Sequence, residues 1–193
     1  MHAIPLLVPS TRDYHPEPDS GQLASLNLSD SASMILAKPD DAYAPVSLHE
    51  LASLGLQVRQ AWDEAAAGMI RASTGQLGIQ FFTRSASYLL GHAARAGLQL
   101  HTKSAPVSSW FAHPRTFSIL DGHLKQQLGT ELVFYFVTDA NTVFAFPESN
   151  LKIVDLLYQA VERRFGPVLF PKPLLWANGF PYSFTPSVGR NVA

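Results

Sequence analysis

Apolar residues recur along the chain at two spacings, every second position in some stretches and every third or fourth in others. The clearest stretch of the first kind is 131–146, ELVFYFVTDANTVFAF. Leu132, Phe134 and Phe136 fall on one face of an extended strand, and Val133, Tyr135 and Val137 on the other. Both faces are apolar, so both need cover. Asp139-Ala140-Asn141-Thr142 reads as a turn, because Asp and Asn accept turn conformations, and the strand pattern resumes at Val143. The pattern predicts a β-hairpin near the middle of a sheet. Shorter strands are expected at 23–28 and 33–37, joined by a turn at 29–31, and at 77–82 and 98–101. In the last of these, His101 falls on a wet face.

Helical spacing comes in three regions. Ser47 is placed to cap a helix whose third residue is Glu50, a reciprocal capping pair, and Gly55 to end it. A second helix begins near Gln57 and carries Val58, Ala61, Trp62, Ala65 and Met69 on one face, with Trp62 as a core anchor. Phe117, Leu120, Leu124 and Leu128 form another stripe, stopped by Gly129. Val154, Leu157, Tyr158, Val161 and Phe165 form the third, stopped by Gly166-Pro167. Pro106 suits the start of a short helix holding Val107, Trp110 and Phe111. Residues 83–96 read either as a helix ended by Gly97 or as a continued strand.

The two ends differ from this middle. Residues 1–22 carry Pro5, Pro9, Pro16 and Pro18, which exclude a regular helix. They are expected to lie extended at the surface or to be disordered, with His15 a solvated loop residue. Residues 167–193 carry five prolines but are rich in aromatics, which a disordered tail normally lacks. They are expected to form an extended arm packed on this chain or on a second copy, through Trp176, Phe180, Tyr182 and Phe184. The second case makes a homodimer by exchange of arms. The expected fold is α+β: a mostly antiparallel sheet of about five or six strands covered by helices near 47–70, 114–128 and 150–165. The core domain is 23–166, flanked by 1–22 and the arm at 167–193.

Composition narrows the function classes. With 47% apolar residues and 12 Phe among 193 residues, the chain can bury a sizeable core. Charged residues make up 15%, below the usual figure of about 25%. A formal net charge of −1 gives no reason to expect nucleic acid or an anionic membrane as partner. The absence of cysteine removes thiol chemistry and Cys-based zinc sites and fits a cytoplasmic protein. The N-terminus lacks the basic flank and apolar run of a signal peptide, and no run approaches the roughly 18 residues of a membrane span.

No phosphate loop, dinucleotide fingerprint, nucleophile elbow or H-E-x-x-H zinc helix is present, and no cofactor is expected. The best remaining chemistry is His113, Asp121 and His123, two imidazoles and a carboxylate able in principle to hold a divalent metal and activate water. Asp121 and His123 are two apart and point about 200° from one another on a continuous helix, so they converge only if Gly122 breaks it. His113 has a second role open to it, near a helix N-cap. The leading expectation is a non-enzymatic interaction or regulatory protein. The rivals are a metal-dependent hydrolase built on those three residues and a small-molecule-binding domain.

Two stretches carry a resemblance. Leu51-Ala52-Ser53-Leu54-Gly55-Leu56, followed by Ala61-Trp62 and Ala65, is one; Trp110-Phe111-Ala112-His113-Pro114 running into Phe117-Ser118-Ile119-Leu120 is the other. They resemble segments of small bacterial α+β proteins of unknown function, the YtpQ-like family. The resemblance implies an α+β cytoplasmic protein without an assigned activity. It transfers no catalytic residue and does not extend to the aromatic C-terminal stretch.

Overall fold

The structure is a computed structural model that describes residues 3–10, 22–147 and 151–184. The chain is α+β, and its strands pair antiparallel throughout the described residues. The central hairpin predicted from the sequence is β9 (Val133–Val137) and β10 (Val143–Pro147), which take those numbers from a chain order that starts with β1 (Ile4–Pro9). Before them come β2 (Ser25–Asn27), β3 (Ala32–Lys38), β4 (Ala44–Pro45), β5 (Thr74–Gly75), β6 (Gly78–Ile79), β7 (Phe82–Ser85) and β8 (Leu98–His101). After them come β11 (Leu174–Ala177) and β12 (Phe180–Ser183). The helices are α1 (Leu48–Ser53), α2 (Val58–Ser73), α3 (Ser87–Leu90), α4 (Pro114–Leu128) and α5 (Leu151–Phe165), with 3-10 turns at His92–Ala94 and Val107–Phe111.

The main sheet has six strands in the order β12-β11-β9-β10-β8-β7. All five residues of β9 are buried, as a strand apolar on both faces requires. Val133, Tyr135, Val137, Val143 and Ala145 face a core shared with Phe117, Leu120 and Leu124 of α4 and with Trp110 and Phe111. Phe134, Phe136, Phe144 and Phe146 face a second core, closed by Val154, Leu157 and Val161 of α5. The sheet therefore separates two apolar layers. Trp62 and Leu120 belong to one of them, and Phe134, Phe136 and Leu157 to the other.

Local sequence signals account for the helix limits. Ser47 and Glu50 form the reciprocal cap of α1, and Gly55 follows it at φ +67°. His113 caps α4 by accepting the Arg115 N–H on Nδ1, Pro114 takes the first helical position, and Gly129 ends it in the left-handed region.

Four expectations change. A second sheet, in the order β1-β3-β2 with β4 also on β3, joins the first. The helices of 47–70 serve this sheet: α2 packs on β1 and β3 rather than on the six-stranded sheet. The N-terminal stretch is not a surface tail along its whole length, because Ile4–Pro9 is a strand with Ile4 and Leu7 buried. Its prolines are tolerated because β1 is an edge strand, where a missing N–H costs no ladder bond; His15 lies outside the described residues. Residues 83–96 are neither one helix nor one strand: β7 gives way to a single helical turn and a 3-10 turn.

The aromatic stretch after Pro167 is extended, but as two paired strands. Asn178 and Gly179, at φ +52° and +91°, form the two-residue turn between β11 and β12. Leu174 pairs with Tyr135, which adds this hairpin to the β9 side of the sheet. Among the described residues, no helix is long and apolar enough to cross a membrane.

Candidate functional site

The helix that carries the three suspected metal ligands is unbroken at Gly122, so its side chains stay apart. His113 donates from Nε2 to Asp63 Oδ1 at 3.0 Å and packs at a tilt of 58° against Trp62 with ring centroids 4.4 Å apart. With Nδ1 accepting the Arg115 N–H, both ring nitrogens are committed. Burial lowers its pKa, and the Asp63 carboxylate only partly restores it, so the neutral form is favoured. Asp121 accepts the Tyr135 hydroxyl at 2.9 Å and pairs with Lys125 at 2.8 Å. Burial pushes the Tyr135 hydroxyl well above its usual range, with the Asp121 charge adding to it. His123 instead lies against the Phe81 ring, 5.2 Å between centroids. No group of three His, Asp or Glu side chains among the described residues is placed to hold a metal. The expected triad is thus three separate structural contacts, because an intact helix points Asp121 and His123 to different sides.

The four aromatics of the C-terminal stretch also diverge. Trp176 donates from Nε1 to Ser118 Oγ at 3.2 Å, and the Lys125 ammonium stands 5.1 Å over its ring. Phe180 packs on the core beneath α4, and Phe184 packs edge-on against Phe134, 5.1 Å between centroids. Tyr182 remains 55% exposed. Phe180 and Phe184 thus join opposite cores of this chain.

A concave site lies on the second sheet. The register sets Val8 opposite Ser33, and Asn27 opposite Ser33 from the other side, while Ser25 stands opposite Ile35. By strand alternation these residues occupy the face turned away from Met34 and Leu36, which are in the core. Leu23 and Leu48 and the first residue of α2, Val58, wall this face into a groove of about 620 Å³. Among the described residues its lining is mainly aliphatic, with Gln22, Ser25, Asn27 and Ser33 supplying the polar groups and no charged side chain. Ser33 Oγ donates to Asn27 Oδ1 at 2.9 Å, which leaves the Asn27 amide N–H groups as donors toward a ligand.

No sequence motif marks this groove. Its signal was the alternation in Ser25-Leu26-Asn27 and Ser33-Met34-Ile35, but its third wall, β1, was hidden by the prolines at 5 and 9. No family model, curated protein or solved structure matches the chain. The likeness to YtpQ-like proteins rests on the quoted residues alone.

Proposed function

We propose that this protein is a non-enzymatic binding module whose groove on the second sheet takes an uncharged, mainly apolar small molecule. The observation that carries this reading is the groove's size and its lining by the described residues: about 620 Å³, aliphatic walls, four amide or hydroxyl side chains and no charge. Small-molecule sites run from about 300 to 1,000 Å³ and are lined in this way. A charged ligand would meet no counter-charge from the described lining residues to offset its lost hydration. Docking of a protein through the aromatic C-terminal stretch has less support, since Trp176, Phe180 and Phe184 spend their surface on this chain.

Nile red, an uncharged dye whose emission depends on its surroundings, tests the reading. Its emission should shift on titration with the protein. Val58→Glu and Ser25→Glu place carboxylates in the groove; an acid in the first turn of α2 suits the helix dipole, and because Val58 also packs partly on the core, a thermal melt of each variant checks that the fold is kept. Each should weaken dye binding by about tenfold or more, while Arg59→Glu, exposed and outside the groove lining, should not. Dye affinity unchanged in the double variant Ser25→Glu, Val58→Glu would remove the groove as the site.

A further inference from the structure

The face of the six-stranded sheet that α5 covers does not end where α5 ends. Phe144 of β10 is in the α5-side core, and its cross-strand neighbour on β8 is Gln99. Gln99 in turn faces Arg84 on the edge strand β7, and His101 faces Phe82. These four side chains therefore continue the same face beyond the helix, where it is open. They border a trough of about 350 Å³, with Asn141 at the end of the β9–β10 turn as a further wall.

The trough is cationic and aromatic in a chain whose net charge is −1. Arg84 donates from Nε to Gln99 Oε1 at 2.7 Å, which fixes its guanidinium and leaves its terminal N–H groups unspent. The same guanidinium lies 4.3 Å over the Tyr88 ring. His101 lies 6.5 Å from the ring of Phe82, which is 39% exposed, and in the adjoining cleft that shares Phe82 the Lys103 ammonium stands 4.9 Å over that ring. Among the described residues, no carboxylate forms an ion pair with Arg84, His101 or Lys103. The acid nearest in sequence to Asn141, Asp139, is turned onto its own loop and accepts the Asn141 N–H at 2.7 Å.

Two cations without counter-charges, held by an amide and by aromatic rings around an exposed Phe, are suited to one kind of occupant. We propose that this trough binds a small organic anion carrying a planar ring, the ring against Phe82 and the anionic group on Arg84, with Lys103 adding positive charge from the adjoining cleft across Phe82. A preset guanidinium offers paired N–H groups to a carboxylate or a phosphate alike. The ring adds stacking surface, and the volume limits the ligand to roughly mononucleotide size. This site is separate from the groove on the second sheet and takes the opposite chemistry.

The test is amide chemical-shift titration of the full chain with adenosine monophosphate and with benzoate, the two sources of such an anion. Adenosine and inorganic phosphate serve as the ring-only and anion-only controls. One or both ring-bearing anions should shift the signals of residues 82–84 and 99–103, each control binding about tenfold or more weakly. The exposed substitution Arg84→Ala should weaken binding by about tenfold or more, since it removes a charged hydrogen-bond donor, and Lys103→Ala, outside the trough lining, should weaken it less. Phe82→Ala should weaken the ring-bearing anions but leave phosphate unchanged. Adenosine binding as well as its monophosphate would overturn the anionic assignment. The proposal would also fail if neither ring-bearing anion moved these signals at millimolar concentration, or if binding survived in the Arg84→Ala, Lys103→Ala double variant.

Discussion

Gly97 lies beneath the ring of Phe146: a Cβ placed on Gly97 would stand 2.1 Å from Phe146 Cε1 and 2.3 Å from Cδ1. The constraint is space rather than backbone conformation. Phe146 cannot swing aside cheaply, because it is buried and packs edge-on against Phe136, 5.5 Å between centroids. Gly97→Ala should destabilise by about 1–3 kcal/mol, the usual cost of overpacking. Adding Phe146→Leu should return part of that loss, a coupling of about 0.5–3 kcal/mol in a double-mutant cycle followed by denaturant unfolding. Strict additivity of the two changes would mean that this contact does not set the cost.

His113 gives the fold a pH dependence of definite sign. Burial lowers its pKa from the ordinary 6.5, and Asp63 opposes this only in part. Above the unfolded pKa of about 6.5 both states are neutral there, and its contribution does not change with pH. As pH falls below that value the unfolded chain takes up a proton that the folded chain resists, so stability drops until the folded pKa is passed. Protonation at Nδ1 also costs α4 its cap, because that nitrogen accepts the Arg115 N–H. Thermal melts between about pH 7 and pH 5 should therefore show a steeper loss in the natural chain than in His113→Asn, which keeps a capping acceptor but does not titrate. Equal slopes in the two proteins would assign the acid sensitivity to other groups.

The parts of this fold that could be read from the sequence are those set by local chemistry. The cap of α1, the left-handed glycines after α1 and α4, and the β9–β10 hairpin each follow from a few neighbouring residues. Which layer a residue joins did not follow, since Trp62 and Phe134 carry the same apolar signal and end on opposite sides of the sheet. The second sheet was hidden because β1 holds two prolines, and only its edge position, a long-range property, makes them acceptable. Of the candidate site, the alternation of Ser33 and Ile35 was legible, but its enclosure by Leu48 and Val58 was not. The His113, Asp121 and His123 reading was set aside by the helix geometry that had already counted against it. Asn178-Gly179 was the strongest overlooked signal, because this pair marks a tight hairpin wherever it sits between two strand-like runs.

That turn gives a direct test of how the C-terminal hairpin is held. Gly179 sits at φ +91°, which disfavours any side chain, and a Cβ there would lie 2.6 Å from Pro114 Cβ and 3.1 Å from Pro114 Cα. Pro114 opens α4 and its ring is rigid, so the neighbour cannot yield as a flexible side chain would. Asn178, at φ +52°, has the positive backbone angle alone among the effects considered for its neighbour, and glycine accepts that angle freely. Gly179→Ala should therefore cost about 1–3 kcal/mol, combining strain and overpacking, while Asn178→Gly should stay within about 0.5 kcal/mol. Hydrogen exchange separates a local from a global effect. In Gly179→Ala the amides of β11 and β12 should lose protection before those of β9 and β10, because the hairpin is joined to the sheet through Leu174 and Tyr135. If Gly179→Ala costs no more than Asn178→Gly, the turn is not seated against α4, and the hairpin is held by the Leu174–Tyr135 pairing and its aromatic side chains, with Phe184 against Phe134 and Trp176 against Ser118.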